Sequence, residues 1–101
     1  MEDALLPLDR DKIAAFCRRH GIRRLGLFGS VLRDDFGRDS DVDVLVEFQP
    51  GARTGLAFFD MQDELSEIIG RAVDLNTPGF LGPQIREQVL RGIQDVYVAA
   101  G

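Results

Sequence analysis

The stretch Leu27-Phe28-Gly29-Ser30-Val31-Leu32-Arg33-Asp34-Asp35-Phe36-Gly37-Arg38-Asp39-Ser40-Asp41-Val42-Asp43-Val44-Leu45-Val46-Glu47-Phe48 decides how this chain is read. Its start closes a run, Ile22 to Phe28, with the length and apolar character of a buried strand, and that run ends directly on the small pair Gly29-Ser30. Its end, Asp41 to Phe48, sets Val42, Val44 and Val46 in alternation with Asp41, Asp43, Leu45 and Glu47, which is the period of a second strand. A short polar segment ending near Ser40 joins the two. The stretch therefore predicts a strand, a turn carrying a hydroxyl, and a second strand carrying two carboxylates.

Asp41 and Asp43 are two residues apart, so on a strand both side chains leave the same face. Carboxylates that close repel unless something positive lies between them. Mg²⁺ takes oxygen ligands in octahedral geometry and is usually held by one or two carboxylates plus substrate phosphates, which makes an Asp-x-Asp strand a metal clip that a nucleotide would complete. A third carboxylate from a neighbouring strand can bridge a second ion or accept the proton of an attacking hydroxyl. Asp74, in the apolar run Ala72-Val73-Asp74-Leu75, is placed on just such a strand. At Gly29 and Ser30 exposed backbone N–H groups and a hydroxyl can cradle a phosphate, and Arg33 can reach a phosphate oxygen if its segment is helical. The bland alternatives are a solvated acid at Asp74 and a surface ion pair of Arg33 with Asp34 or Asp35.

Working outward, Leu8 to Arg19 carries Ile13, Ala14, Phe16 and Cys17 on one stripe, with Asp9 as N-cap and Gly21 as the stop, and predicts a first helix. Pro50 to Arg53 marks a loop. Leu56 to Ile69 has helical spacing through Phe59, Met61, Leu65, Ile68 and Ile69 and is closed by Gly70. Ala72 to Leu75 predicts a short strand, Gly82-Pro83 opens a helix that ends at Gly92, and Val96 to Val98 predicts a last strand. The order of helix, strand, turn, strand, helix, strand, helix, strand indicates an α/β (α+β) fold: a small mixed sheet with helices packed on it, forming one domain over residues 1–101.

The bulk properties exclude several classes. At 101 residues there is room for one core and none for a separate acceptor-binding domain. The composition, 45% hydrophobic and 29% charged, is that of a soluble globular protein, and no apolar run approaches the roughly 20 residues that span a bilayer. The acidic N-terminus lacks the features of a secretory leader, and a lone Cys17 forms no internal disulfide, so the expected location is cytoplasmic. A net charge of −5 argues against direct nucleic-acid binding, although eight of the twelve basic residues fall between Arg10 and Arg38. Among these, Arg18, Arg19, His20, Arg23 and Arg24 read as a solvated helix end favoured by the helix dipole. Cys17 reads as a small core residue. Phe58 and Phe59 are adjacent, so at most one would stack on a base, and Tyr97 is read as an ordinary strand tyrosine.

Taken together, Gly29-Ser30, ten intervening residues and Asp41-Val42-Asp43, with Ala-Val-Asp-Leu-Asn-Thr-Pro further on, resemble the polymerase-β-type nucleotidyltransferase superfamily and its minimal (MNT) branch, over nearly the whole chain. The resemblance implies that Gly29 and Ser30 bind the triphosphate of ATP or another nucleoside triphosphate. It also implies that Asp41, Asp43 and Asp74 form the catalytic carboxylate set and hold Mg²⁺, two ions in all. It further implies a helical HEPN ribonuclease partner, with the chain acting as its antitoxin and moving AMP onto a tyrosine of that toxin. Two alternatives stand beside this one: a noncatalytic module that masks a helical partner, and the catalytic half of a small-molecule, aminoglycoside-type nucleotidyltransferase. Self-association is compatible with each.

Overall fold

The computed structural model describes residues 8–29, 41–51 and 57–99; Ser30, Arg33 and the rest of the polar segment lie outside the described residues. The elements run α1 (Arg10–His20), β1 (Ile22–Phe28), β2 (Val42–Phe48), α2 (Ala57–Ile69), β3 (Val73–Asn76), a 3-10 turn (Pro78–Phe80), α3 (Pro83–Gly92) and β4 (Gln94–Val98). The α/β fold expected from sequence is the one observed.

Helix α1 is bounded as its sequence requires. The Asp9 carboxylate accepts from the Lys12 backbone N–H at 3.1 Å, satisfying a donor at the start of the helix. Gly21 at φ 69° ends it in the left-handed conformation, its N–H returning to the Cys17 carbonyl. The helix begins at Arg10 and not at Leu8, because Asp9 is the cap and a cap residue is not itself helical.

The four strands form one mixed sheet in the order β3-β2-β1-β4. The pairs β1–β2 and β1–β4 are antiparallel, whereas β2–β3 is parallel, with α2 as the crossover. Alternation along the strands divides the sheet into two faces. Leu25, Leu27, Val42, Val44, Val46, Val73 and Leu75 point into the main core with Ile13, Phe16 and Cys17 of α1 and Phe58, Met61 and Leu65 of α2. Helices α1 and α2 pack on each other and on this face. Fully burying a side chain of the size of leucine or phenylalanine contributes about 1.5–3 kcal/mol, so this layer supplies the main driving force for folding.

The opposite face carries Gly26, Phe28, Asp43, Leu45, Asp74 and Asn76. Leu45 is buried although it points away from the main core. The 3-10 turn packs against β2, and a β-carbon on Gly26 would come within 2.5 Å of the Ile93 side chain, so part of this second face is also closed over. Arg86 of α3 fixes the 3-10 turn by donating from Nε to the Pro78 carbonyl at 3.0 Å and from Nη2 to the Leu81 carbonyl at 3.3 Å. Among the described residues no helix is long and apolar enough to cross a membrane.

Candidate active site

The site is assembled by register. Phe28, the last residue of β1, lies opposite Asp43 on β2, and Asp43 lies beside Asp74 on β3. Because side chains of paired residues leave the same face of a sheet, Asp43 and Asp74 stand next to each other on the face turned away from the main core. On either side of Asp74 the buried Val73 and Leu75 anchor β3 to that core, which obliges the residue between them to point outward.

Gly29 follows directly on β1 at φ 77°, a left-handed conformation that glycine adopts without steric cost. A β-carbon there would collide with Oδ2 of Asp43. Gly29 therefore does two jobs in one position: it turns the chain out of the sheet, and it leaves the space that the Asp43 carboxylate occupies. The sequence argued only that Gly29 would let backbone approach a phosphate.

Asp41 lies one residue ahead of β2, exposed, with the neighbouring Val42 N–H bonded to the Ala72 carbonyl at 2.9 Å. That bond ties the start of β2 to the start of β3. The strand thus begins at Val42 and not at Asp41, yet both carboxylates remain at the same end of the sheet. Asp74 is exposed and Asp43 half-buried. Among the described residues no three of His, Cys, Asp and Glu meet as a ready-made metal cage. What the structure brings together is the pair Asp43 and Asp74, with Asp41 two residues from Asp43. This donor set is all hard oxygen, which fits Mg²⁺, an ion that commonly takes one or two carboxylates and completes its shell with water and phosphate oxygens.

Asn76 was not singled out by sequence. It shares the Asp74 face, lies beside Leu45, and donates from Nδ2 to the Asp74 carbonyl at 3.1 Å. Its only sequence signal was its place two residues beyond Asp74, which sequence reading assigned no task.

Other expectations resolve away from the site. Cys17 is fully buried and burial pushes its thiol up to about 12, so it is an inert core residue. Phe58 belongs to the core while Phe59 is 66% exposed. Arg23 and Arg24 are not a solvated helix end. They lie in β1, where Arg23 meets Glu47 at 2.7 Å and Arg24 bridges Glu47 at 3.3 Å and Asp95 at 2.6 Å. His20 sits 3.0 Å from Glu64 of α2, and Arg19 is ion-paired with the same carboxylate. These contacts tie strands and helices together.

The family model described as a nucleotidyltransferase domain matches residues 10–96 of the chain. A candidate protein adenylyltransferase of Methanocaldococcus jannaschii is 34% identical over 85 residues, 84% of this chain and 90% of its own. The protein adenylyltransferase MntA of Thermococcus cleftensis is 39% identical over 80 residues, covering 79% of this chain and 78% of its own. Among solved structures, a toxin–antitoxin complex with AMP-PNP superposes with a TM-score of 0.72 at 21% identity, covering 91% of this chain and 75% of that one, a likeness of fold.

Proposed function

The chain belongs to the nucleotidyltransferase domain family, and from that premise we propose that it is a Mg²⁺-dependent protein adenylyltransferase that moves AMP from ATP onto a tyrosine hydroxyl of a helical HEPN ribonuclease, acting as its antitoxin. The observation that carries this reading is the side-by-side register of Asp43 and Asp74, with Gly29 held against Asp43 at the turn where a triphosphate would arrive. Two curated relatives that align with most of this chain are named as protein adenylyltransferases, one of them as a candidate, and they motivate the choice of AMP and of a protein acceptor.

The reaction is an in-line substitution. The acceptor oxygen forms a bond to the α-phosphorus of ATP, the bond from that phosphorus to the bridging oxygen breaks, and pyrophosphate leaves with its electron pair. The acceptor's proton must go to a base within hydrogen-bond reach, and Asp74, exposed beside Asp43, is assigned that task. Asp41, Asp43 and Asp74 would hold Mg²⁺, which when bound offsets negative charge on the phosphate oxygens. Gly29 and Ser30 are assigned to the triphosphate, where backbone N–H groups bind phosphate without adding charge. Arg33 is assigned a supporting contact to a phosphate oxygen. The single domain over residues 1–101 supplies nucleotide and metal binding, and the partner supplies the acceptor.

The test separates this enzyme from a module that merely masks its partner. Neutralisation of a helical HEPN ribonuclease as the proposed partner is measured with and without ATP and Mg²⁺. The proposal predicts that ribonuclease activity stays suppressed after the chain is removed only if ATP and Mg²⁺ were present. Equal suppression in both conditions, reversed when the chain is removed, would overturn it.

A further inference from the structure

We infer that Gln62 and Ser66 of α2 are positioning residues for Asp74, fastening the edge strand that carries it; this rests on the assignment of Asp74 above. Strand β3 is four residues long and, among the described residues, lies at the edge of the sheet, paired only with β2. In a parallel ladder alternate residues direct both backbone groups to the neighbouring strand and the residues between direct theirs outward. The Val42 N–H to Ala72 carbonyl bond fixes which are which: Ala72, Asp74 and Asn76 face β2, so the N–H groups of Val73 and Leu75 face away.

Both outward donors are taken up by side chains of α2. The Val73 N–H donates to Ser66 Oγ at 3.1 Å, and the Leu75 N–H donates to Gln62 Oε1 at 2.9 Å. Ser66 Oγ in turn donates to the Gln62 carbonyl at 2.9 Å, so its hydroxyl is oriented to accept from Val73. Gln62 and Ser66 are four apart, one helical turn, while Val73 and Leu75 are two apart on a strand. The rise of 1.5 Å per helical residue gives about 6 Å, and two strand residues give about 6.6 Å, so the two ladders match in length. Asp74 lies between the two fastened amides, and its own carbonyl accepts from Asn76.

A short edge strand is free to shift along or away from its single neighbour, and a shift of one residue would turn Asp74 to the opposite face. With both outward amides tied to a packed helix, the backbone on each side of Asp74 is held, and its carboxylate stays beside Asp43. The groups that secure Asp74 thus come from the helix on the core side of the sheet, with no contact to the reacting atoms required.

The experiment uses the whole chain with Mn²⁺ as the metal probe and AMP-PNP as the nucleotide, reading Mn²⁺ affinity by electron paramagnetic resonance. Removing groups that orient a metal ligand typically lowers affinity by about 10–100-fold. The expected result is a loss of about tenfold for Gln62→Ala with Ser66→Ala, and recovery with Gln62→Glu and Ser66→Thr, which keep the accepting oxygens. In an Asp74→Asn background the alanine pair should cost nothing further, because coupled residues are non-additive. Backbone amide exchange should speed up at Val73 and Leu75 while the β1–β2 amides stay protected. Unchanged Mn²⁺ affinity in the alanine pair, alongside a loss in Asp74→Asn, would overturn the positioning role alone. An equal loss from the alanine pair in both backgrounds would overturn it too, marking a general structural defect. Equal affinity in the native chain and Asp74→Asn would instead overturn the assignment of Asp74 as a ligand, and this inference with it.

Discussion

Gly29 turns the chain at φ 77° while the carboxylate of Asp43 fills the space its β-carbon would take. A residue other than glycine pays roughly 1–2 kcal/mol for the left-handed conformation alone, and any side chain must also push Asp43 aside. Gly29→Ala should therefore lower the urea midpoint and sharply reduce nucleotide transfer, because the displaced carboxylate is the one beside Asp74. Unchanged stability and transfer would contradict this placement of Asp43. Half of the contact was legible in the sequence: a glycine after an apolar strand announces a turn, and Asp-x-Asp on an alternating strand announces two carboxylates together. The touching of Gly29 and Asp43 was not, since it depends on an antiparallel register that pairs Phe28 with Asp43. Arg24 was misassigned for the same reason. Its partner Asp95 lies 71 residues away along the chain, and no local pattern announces that distance.

Elements were legible wherever their signals were local. Asp9 and Gly21 bound α1, Pro83 opens α3 at its first position, and the alternating valines of β2 are all buried in the main core, with Leu45 buried on the other face. The departures have physical causes. Pro78-Gly79-Phe80 forms a 3-10 turn that is too short to leave a periodic pattern. Strand β4 begins at Gln94, two residues ahead of its apolar part, because Gln94 and Asp95 pair with Leu27 and Gly26 at the sheet edge where polar side chains are tolerated. Gly26 at the centre of β1 gives a prediction of its own. Its missing side chain admits Ile93, whose Cγ1 would stand 2.5 Å from an added β-carbon, across from the buried Leu45. Overpacking of this kind costs typically 1–3 kcal/mol. Gly26→Val should be destabilised by about that amount in urea denaturation, and adding Ile93→Ala should return part of the loss. If the double variant is no more stable than Gly26→Val, Ile93 is not what excludes the side chain.

At the scale of the whole molecule, topology explains why the chemistry gathers at one end. Strand β1 arrives there with Phe28, β2 departs from there with Val42, and β3 begins there with Val73, so Gly29, Asp41, Asp43 and Asp74 share that end although they span 46 positions of sequence. Helix α2, the crossover from β2 to β3, must begin at the far end, which removes Phe59 in its first turn from any part in base stacking at the carboxylates, and Phe58 is in the core. The fold could be read ahead of the structure because the Gly-Ser and Asp-x-Asp motif spans adjacent strands with fixed spacing. The fastening of β3 could not, since Gln62 and Ser66 carry no mark in the sequence that separates them from any other polar residue on a helix. The central claim is that Asp41, Asp43 and Asp74 serve transfer of AMP to a protein partner. It is tested most directly by intact-mass spectrometry of the proposed helical ribonuclease partner after incubation with this chain, ATP and Mg²⁺, with Asp41→Asn/Asp43→Asn as the control. The account predicts that the partner gains the mass of one or more AMP groups with the native chain and none with the variant, whose folding is checked by circular dichroism. An unmodified partner that binds the native chain and the variant equally tightly would contradict it.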